Sequence, residues 1–122
     1  MATICQQRGV TVVELGKQYD SLDDGATREL GEILSEISET ASPPAVVVDM
    51  SATEGIGSTF LAVLFSTVKR LRARRGRLAV CNANSFCAEV LEIVKADRVF
   101  KVWPSREDAI TDVLENVPAP TA

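Results

Sequence analysis

Apolar residues along this chain run together, alternate with polar ones, or recur every three to four positions, and these patterns separate its elements. Thr3 to Gln7 and Val10 to Leu15 are short strand-like runs on either side of Arg8-Gly9. They predict a hairpin with a tight turn. Ser21, Asp23 and Asp24 then offer helix caps, and Leu30, Ile33, Leu34 and Ile37 recur at i, i+3, i+4 and i+7. That spacing predicts an amphipathic helix with one apolar stripe. Ser42-Pro43-Pro44 ends it, because proline neither continues a helix nor lets the residue before it stay helical.

Ala45 to Leu64, AVVVDMSATEGIGSTFLAVL, organises the rest. Val46, Val47 and Val48 form an uninterrupted β-branched run, suited to a strand buried on both faces. Gly55 and Gly57 punctuate the loop that follows, and Ser58 stands at the head of a second periodic segment, about Ser58 to Arg74. Leu61, Leu64, Phe65, Val68 and Leu71 make its core stripe, with Phe60 just outside it and only partly covered. The opposite face carries Thr59, Ala62, Val63, Ser66 and Arg70. Lys69 to Arg77 is strongly basic; cations suit the negative end of a helix dipole, so the run reads as a solvated helix end, with Gly76 as a left-handed cap.

Arg77 to Cys81 is a further apolar strand, Asn82 to Ser85 a polar loop, and Phe86, Val90, Leu91 and Val94 mark a short third helix. Val99 to Trp103 is a final strand. Ser105 with Asp108 three residues later is a capping box for a last helix carrying Ala109, Ile110, Val113 and Leu114. The order β-β-α-β-α-β-α-β-α predicts an α/β domain: a mostly parallel sheet of four to five strands with one antiparallel edge and helices packed on it. One domain is expected over residues 1–117, with a flexible tail from Pro118 over 118–122.

Charge and composition narrow the function. The net charge of -4 argues against general nucleic-acid binding. The chain has no histidine, the commonest general base and metal ligand. No phosphate-binding glycine loop, no nucleophile with an adjacent base and no metal-ligand cluster is legible, so neither catalysis nor a cofactor is expected. Cys5, Cys81 and Cys87 have no paired spacing and read as small packed thiols in a reducing compartment. No segment has the length of a membrane span and no signal pattern opens the chain, so a cytoplasmic protein is expected.

Candidate chemistry gathers at the end of the organising strand. A helix N-terminus concentrates free N–H groups and positive dipole near Ser58. Ser58 reads on its own as an N-cap, and as a phosphoacceptor if a kinase reaches it; a phosphate there also meets free N–H groups. Asp49 reads as an acceptor for loop N–H groups. A phosphorylated-aspartate receiver is disfavoured, since the first strand ends in Gln6-Gln7-Arg8 without the acidic pair a magnesium site needs. Glu54 reads as a solvated loop acid.

The element order, the VVVDMS strand end, the Gly57-Ser58-Thr59-Phe60 segment ahead of a helix, and the later GRLAVCNANSF and VLEIVKADRVFKVWPSREDAI stretches resemble the STAS domain family. The resemblance covers about Thr3 to Leu114. It implies an anti-sigma factor antagonist, phosphorylated on the first serine of an Asp-Ser-Ser/Thr-Gly motif by a partner that is both anti-sigma factor and serine protein kinase. By position that serine is Ser58, with Thr59 second. Gly57 replaces the motif's aspartate and Phe60 its glycine. A partner surface is expected over Asp49, Gly57, Ser58, Thr59, Phe60, Ala62, Val63, Ser66 and Arg70, because the outer helix face has small side chains that let another chain approach closely, on a monomer or weak homodimer. The alternative is an unswitched STAS module acting as scaffold or accessory of a lipid or anion transport complex.

Overall fold

In the computed structural model, which describes residues 2–19 and 25–116, the elements run β1 (Thr3–Gln7), β2 (Val10–Glu14), β3 (Gln18–Tyr19), α1 (Gly25–Thr40), β4 (Ala45–Asp49), β5 (Gly55–Ile56), α2 (Ser58–Ala73), β6 (Arg77–Cys81), α3 (Ser85–Ile93), a 3₁₀ turn (Ala96–Arg98), β7 (Lys101–Trp103) and α4 (Arg106–Asn116). The expected caps Ser21, Asp23 and Asp24 and the tail from Pro118 lie outside the described residues.

A five-stranded sheet has the order β1-β2-β4-β6-β7. β1 is antiparallel to β2, and β2, β4, β6 and β7 are mutually parallel. Arg8 (φ 54°) and Gly9 (φ 82°) make the hairpin turn; two successive left-handed residues match the right-handed twist of the strands they join. The parallel register aligns Glu14, Asp49, Cys81 and Trp103 along the C-terminal edge of the sheet.

Strand alternation sorts the side chains into two layers. Val10, Val12, Ala45, Val47, Ala79 and Cys81 meet Ala109, Ile110 and Val113 of α4. Val13, Val46, Val48, Leu78 and Val80 meet α1, α2 and α3 through Leu30, Leu34, Leu61, Leu64, Leu71 and Leu91. Every residue of β4 is buried, as its unbroken apolar run requires. Asp108 N–H donates to Ser105 Oγ at 3.2 Å, so the expected cap opens α4.

Several local expectations are corrected. β3 and β5 pair with each other in a separate parallel ladder, too short to leave a periodic signal in sequence. Phe60 is fully buried (0% exposed) rather than partly covered, because Tyr19 of β3 packs on it with ring centroids 5.3 Å apart. On α3 the inward residues are Cys87 and Leu91, whereas Phe86 and Val94 are 54% and 41% exposed. The last strand begins at Lys101, the 3₁₀ turn taking up the preceding residues. The left-handed residue after α2 is Arg75 (φ 60°). Gly76 is needed for space instead, since a Cβ there would stand 2.2 Å from the Pro44 carbonyl oxygen.

The basic run is not simply a solvated end. Arg74 donates to the carbonyls of Ser38 (3.0 Å) and Ala41 (2.8 Å) at the end of α1. Arg72 donates to the Val99 carbonyl at 3.1 Å, and Arg70 donates to Ser35 Oγ. The last turns of α2 are thereby tied to their neighbours as well as matched to the helix dipole.

Candidate functional site

Three connections converge at the C-terminal edge of the parallel strands, and together they fix the head of α2. Thr53 Oγ1 donates to the Gly16 carbonyl at 2.8 Å, and Glu54 N–H to the Lys17 carbonyl at 2.7 Å. Asn84 Nδ2 donates to the Thr53 carbonyl at 3.1 Å while its Oδ1 caps α3 by accepting from Cys87 N–H at 2.7 Å. Gly57 N–H donates to the Tyr19 carbonyl at 3.0 Å. Below this loop Phe60 and Tyr19 are packed, and the Tyr19 hydroxyl accepts from Gly16 N–H at 2.8 Å.

Gly57, not Ser58, is the N-cap of α2, and no side chain caps it. Ser58 is the first helical residue, and both Ser58 and Thr59 are exposed. The N-cap reading of Ser58 is therefore corrected: its hydroxyl is not used to satisfy its own helix. No acidic residue lies in the first turn of α2. The turn thus presents positive dipole and open N–H donors, an arrangement that favours a negative charge on Ser58 or Thr59. Glu54 is exposed beside it.

Asp49 is buried (3% exposed) and anchors this edge from beneath. Its Oδ1 accepts from Ser51 N–H at 2.9 Å and from Asn82 Nδ2 at 3.2 Å. Its Oδ2 accepts from Arg106 Nε at 2.9 Å and Nη2 at 2.6 Å. Burial alone pushes the carboxyl up; Arg106, Ser51 and Asn82 outweigh it and hold Asp49 below its usual value. Arg106 also donates to Glu14 at 2.9 Å and to the Gln7 amide oxygen at 3.3 Å, and the carboxylates of Asp49 and Glu14 hold its guanidinium firmly protonated. Burial, with Asp49 nearby, raises the Cys81 thiol to about 12, which keeps it neutral and unreactive.

The expected residues fall into three groups. Ser58, Thr59, Ala62 and Ser66 are exposed along one side of α2 below Gly57. Asp49 and Phe60 are internal, so they shape the surface only by holding the loop and the helix. Val63 and Arg70 lie in the seam with α1: a Cβ on Gly31 would stand 3.5 Å from Val63 Cγ2, and Arg70 is bonded to Ser35. With Thr59, Ala62 and Ser66 they line a shallow α1–α2 groove of about 250 Å³. Sequence reasoning missed Arg106, whose side chain bridges three strands, and Phe86, an exposed aromatic in the first turn of α3. The only signal for Phe86 was its place beside the polar Asn82 to Ser85 loop.

A hairpin-led, mostly parallel sheet covered by α4 on one face and by α1 to α3 on the other is the fold of the STAS domain. The chain belongs to that family, and residues 2–109 match it. It is 27% identical over 112 residues to the anti-sigma-F factor antagonist RsfB of Mycobacterium tuberculosis, covering 91% of this chain and 87% of that protein. An anti-sigma factor antagonist from Mycobacterium paratuberculosis superposes with a TM-score of 0.78 at 28% identity, covering 93% of each chain. A STAS domain protein from Planctomyces limnophilus superposes with a TM-score of 0.81 at 22% identity, covering 93% of this chain and 97% of that one. Among the described residues no helix is long and apolar enough to cross a membrane.

Proposed function

We propose that this protein is an anti-sigma factor antagonist: a binding module without catalysis of its own, switched by phosphorylation of Ser58 in trans. The observation that carries the reading is the head of α2, where an exposed serine occupies the first turn of a helix that no side chain caps. The likeness to antagonists from two mycobacteria supports the partner class. In the dephosphorylated state a partner docks over Ser58, Thr59, Ala62 and Ser66, a side of α2 with small side chains that let another chain approach closely. Transfer of a phosphoryl group to Ser58 Oγ, with loss of its proton, adds about -1.5 to -2 charges at pH 7. The fold accepts that charge through the α2 dipole, whereas a surface shaped for a hydroxyl must desolvate it, so the complex dissociates.

The test is capture of partners from native extract on the immobilised protein, followed by ATP and phosphopeptide mapping. Modification of Ser58, release of the bound partner and no transfer by the protein alone are expected. A captured kinase that modifies only positions other than Ser58 and Thr59 refutes the switch.

A further inference from the structure

The proposed switch uses one end of α2; the other end opens into a cleft of about 230 Å³ between α2, the start of β6 and the segment leading into β7. Four residues bordering it are cations, Arg72, Arg77, Arg98 and Lys101, and none is an acid. This grouping stands in a chain with 17 carboxylates against 13 Lys and Arg. The described ion pairs involve Arg8 and Arg106, so none of the four is neutralised by an ion pair among the described residues. The helix dipole accounts for Arg72 on α2. It does not account for Arg98, which borders the same cleft from the 3₁₀ turn.

The cations do not all stand alike. Arg72 is held in place, its Nη2 donating to the Val99 carbonyl at 3.1 Å. The Lys101 ammonium lies 5.7 Å from the centre of the Trp103 ring, which packs in the α4 layer, so its charge is turned away from the cleft. The inner wall is apolar, with Val68 and Phe100 each 4% exposed. The carbonyls of Leu71 and Arg72 at the end of α2, which repel an anion, already accept the N–H groups of Arg74, Arg75 and Gly76. Guanidinium forks match phosphate oxygens, and apolar wall beside them favours an organic substituent.

We propose that this cleft binds a small organic phosphate, with Arg72 and Arg98 holding the phosphate and its organic part lying against Val68 and Phe100. A soluble phosphoester and a lipid headgroup present the same chemistry. The experiment is a titration of the full chain, followed by amide NMR shifts and calorimetry, with phenyl phosphate and with inorganic phosphate at constant ionic strength. Saturable binding that moves the Val99 and Phe100 amides is expected, tighter for phenyl phosphate. Arg98→Glu should weaken it by about tenfold or more, the scale of one charge-assisted hydrogen bond. Lys69→Glu, which alters an exposed cation outside the cleft, should leave it unchanged, and Arg98→Gln repeats the test if the glutamate variant folds poorly. Flotation with phosphatidylcholine vesicles containing phosphatidic acid separates the sources. Arg98-dependent flotation assigns a lipid headgroup; phenyl phosphate binding without flotation assigns a soluble ligand. Absence of saturable binding by either probe, or equal loss in Lys69→Glu, overturns the site.

Discussion

Arg106 Nη2 stands 2.6 Å from Asp49 Oδ2, although the two residues are 57 positions apart in the chain. The contact locks the head of α4 to the strand that leads into the Ser58 loop. Asp49 is held below its usual value, so the pair stabilises the fold fully above the unfolded carboxylate value of about 3.9 and loses its contribution as pH falls through the folded one. Removing Arg106 leaves a buried carboxylate with only Ser51 and Asn82 to offset its burial. Arg106→Met should therefore cost about 3 kcal/mol at pH 7 and less at pH 3, below the unfolded carboxylate value of about 3.9. Urea denaturation at the two pH values measures this; an equal loss at both contradicts it.

Charge at the head of α2 should stabilise the domain while disrupting its complex. Ser58→Asp is expected to gain about 0.3–1 kcal/mol over Ser58→Ala at low salt, because a negative charge faces uncapped N–H groups. Partner affinity should be near wild type for Ser58→Ala and much lower for Ser58→Asp. Thermal melts and titration calorimetry read the two effects separately. A Ser58→Asp protein that melts lower and binds unchanged refutes both.

Two glycines should respond to alanine in opposite directions. At Gly31 in α1 the added Cβ meets Val63 Cγ2 at 3.5 Å, an ordinary contact. Gly31→Ala should gain about 0.5–1 kcal/mol from helix propensity. At Gly76 the Cβ meets the Pro44 oxygen at 2.2 Å, so Gly76→Ala should lose about 1–3 kcal/mol as the backbone shifts. Matched denaturation curves decide both; a destabilised Gly31→Ala means the α1–α2 seam is tighter than its contacts indicate.

Ala62 and Val63 are neighbours in sequence with different tasks. Ala62 is exposed and Val63 packs against α1. Ala62→Glu should keep the melting temperature and weaken partner binding, whereas Val63→Glu should lower the melting temperature by loosening the seam. If Ala62→Glu binds as tightly as wild type, the partner does not use this side of α2.

The main elements were legible because each depended on a local pattern. Val46, Val47 and Val48 need only their own side chains to read as a buried strand, and Leu61, Leu64, Val68 and Leu71 need only helical spacing. Ser58 was placed at the head of α2 correctly, but its cap was not, since the choice between Gly57 and Ser58 turns on one residue of backbone geometry. What sequence missed was decided by distant residues. Phe60 is covered by Tyr19 from a two-residue strand, and Arg106 finds its partners on β1, β2 and β4. Val63 faces α1 because Gly31 leaves room there. Phe86 sits at an apolar position of a short helix whose burial is taken by Cys87 and Leu91.

The β3–β5 ladder shares no strand with the main sheet. Loop bonds and the Tyr19–Phe60 packing fasten it beside the five strands, where its Tyr19 and Ile56 join the core layer under α1 to α3. Substitutions at the exposed Ser51, Ala52 and Glu54 can thus reshape this edge while sparing the core. A lineage that duplicates such a domain can drift at this edge alone, and its copies can come to answer different partners on one inherited scaffold. Insulation between parallel signalling lines then rests on a handful of loop positions, where selection can act with little penalty to folding.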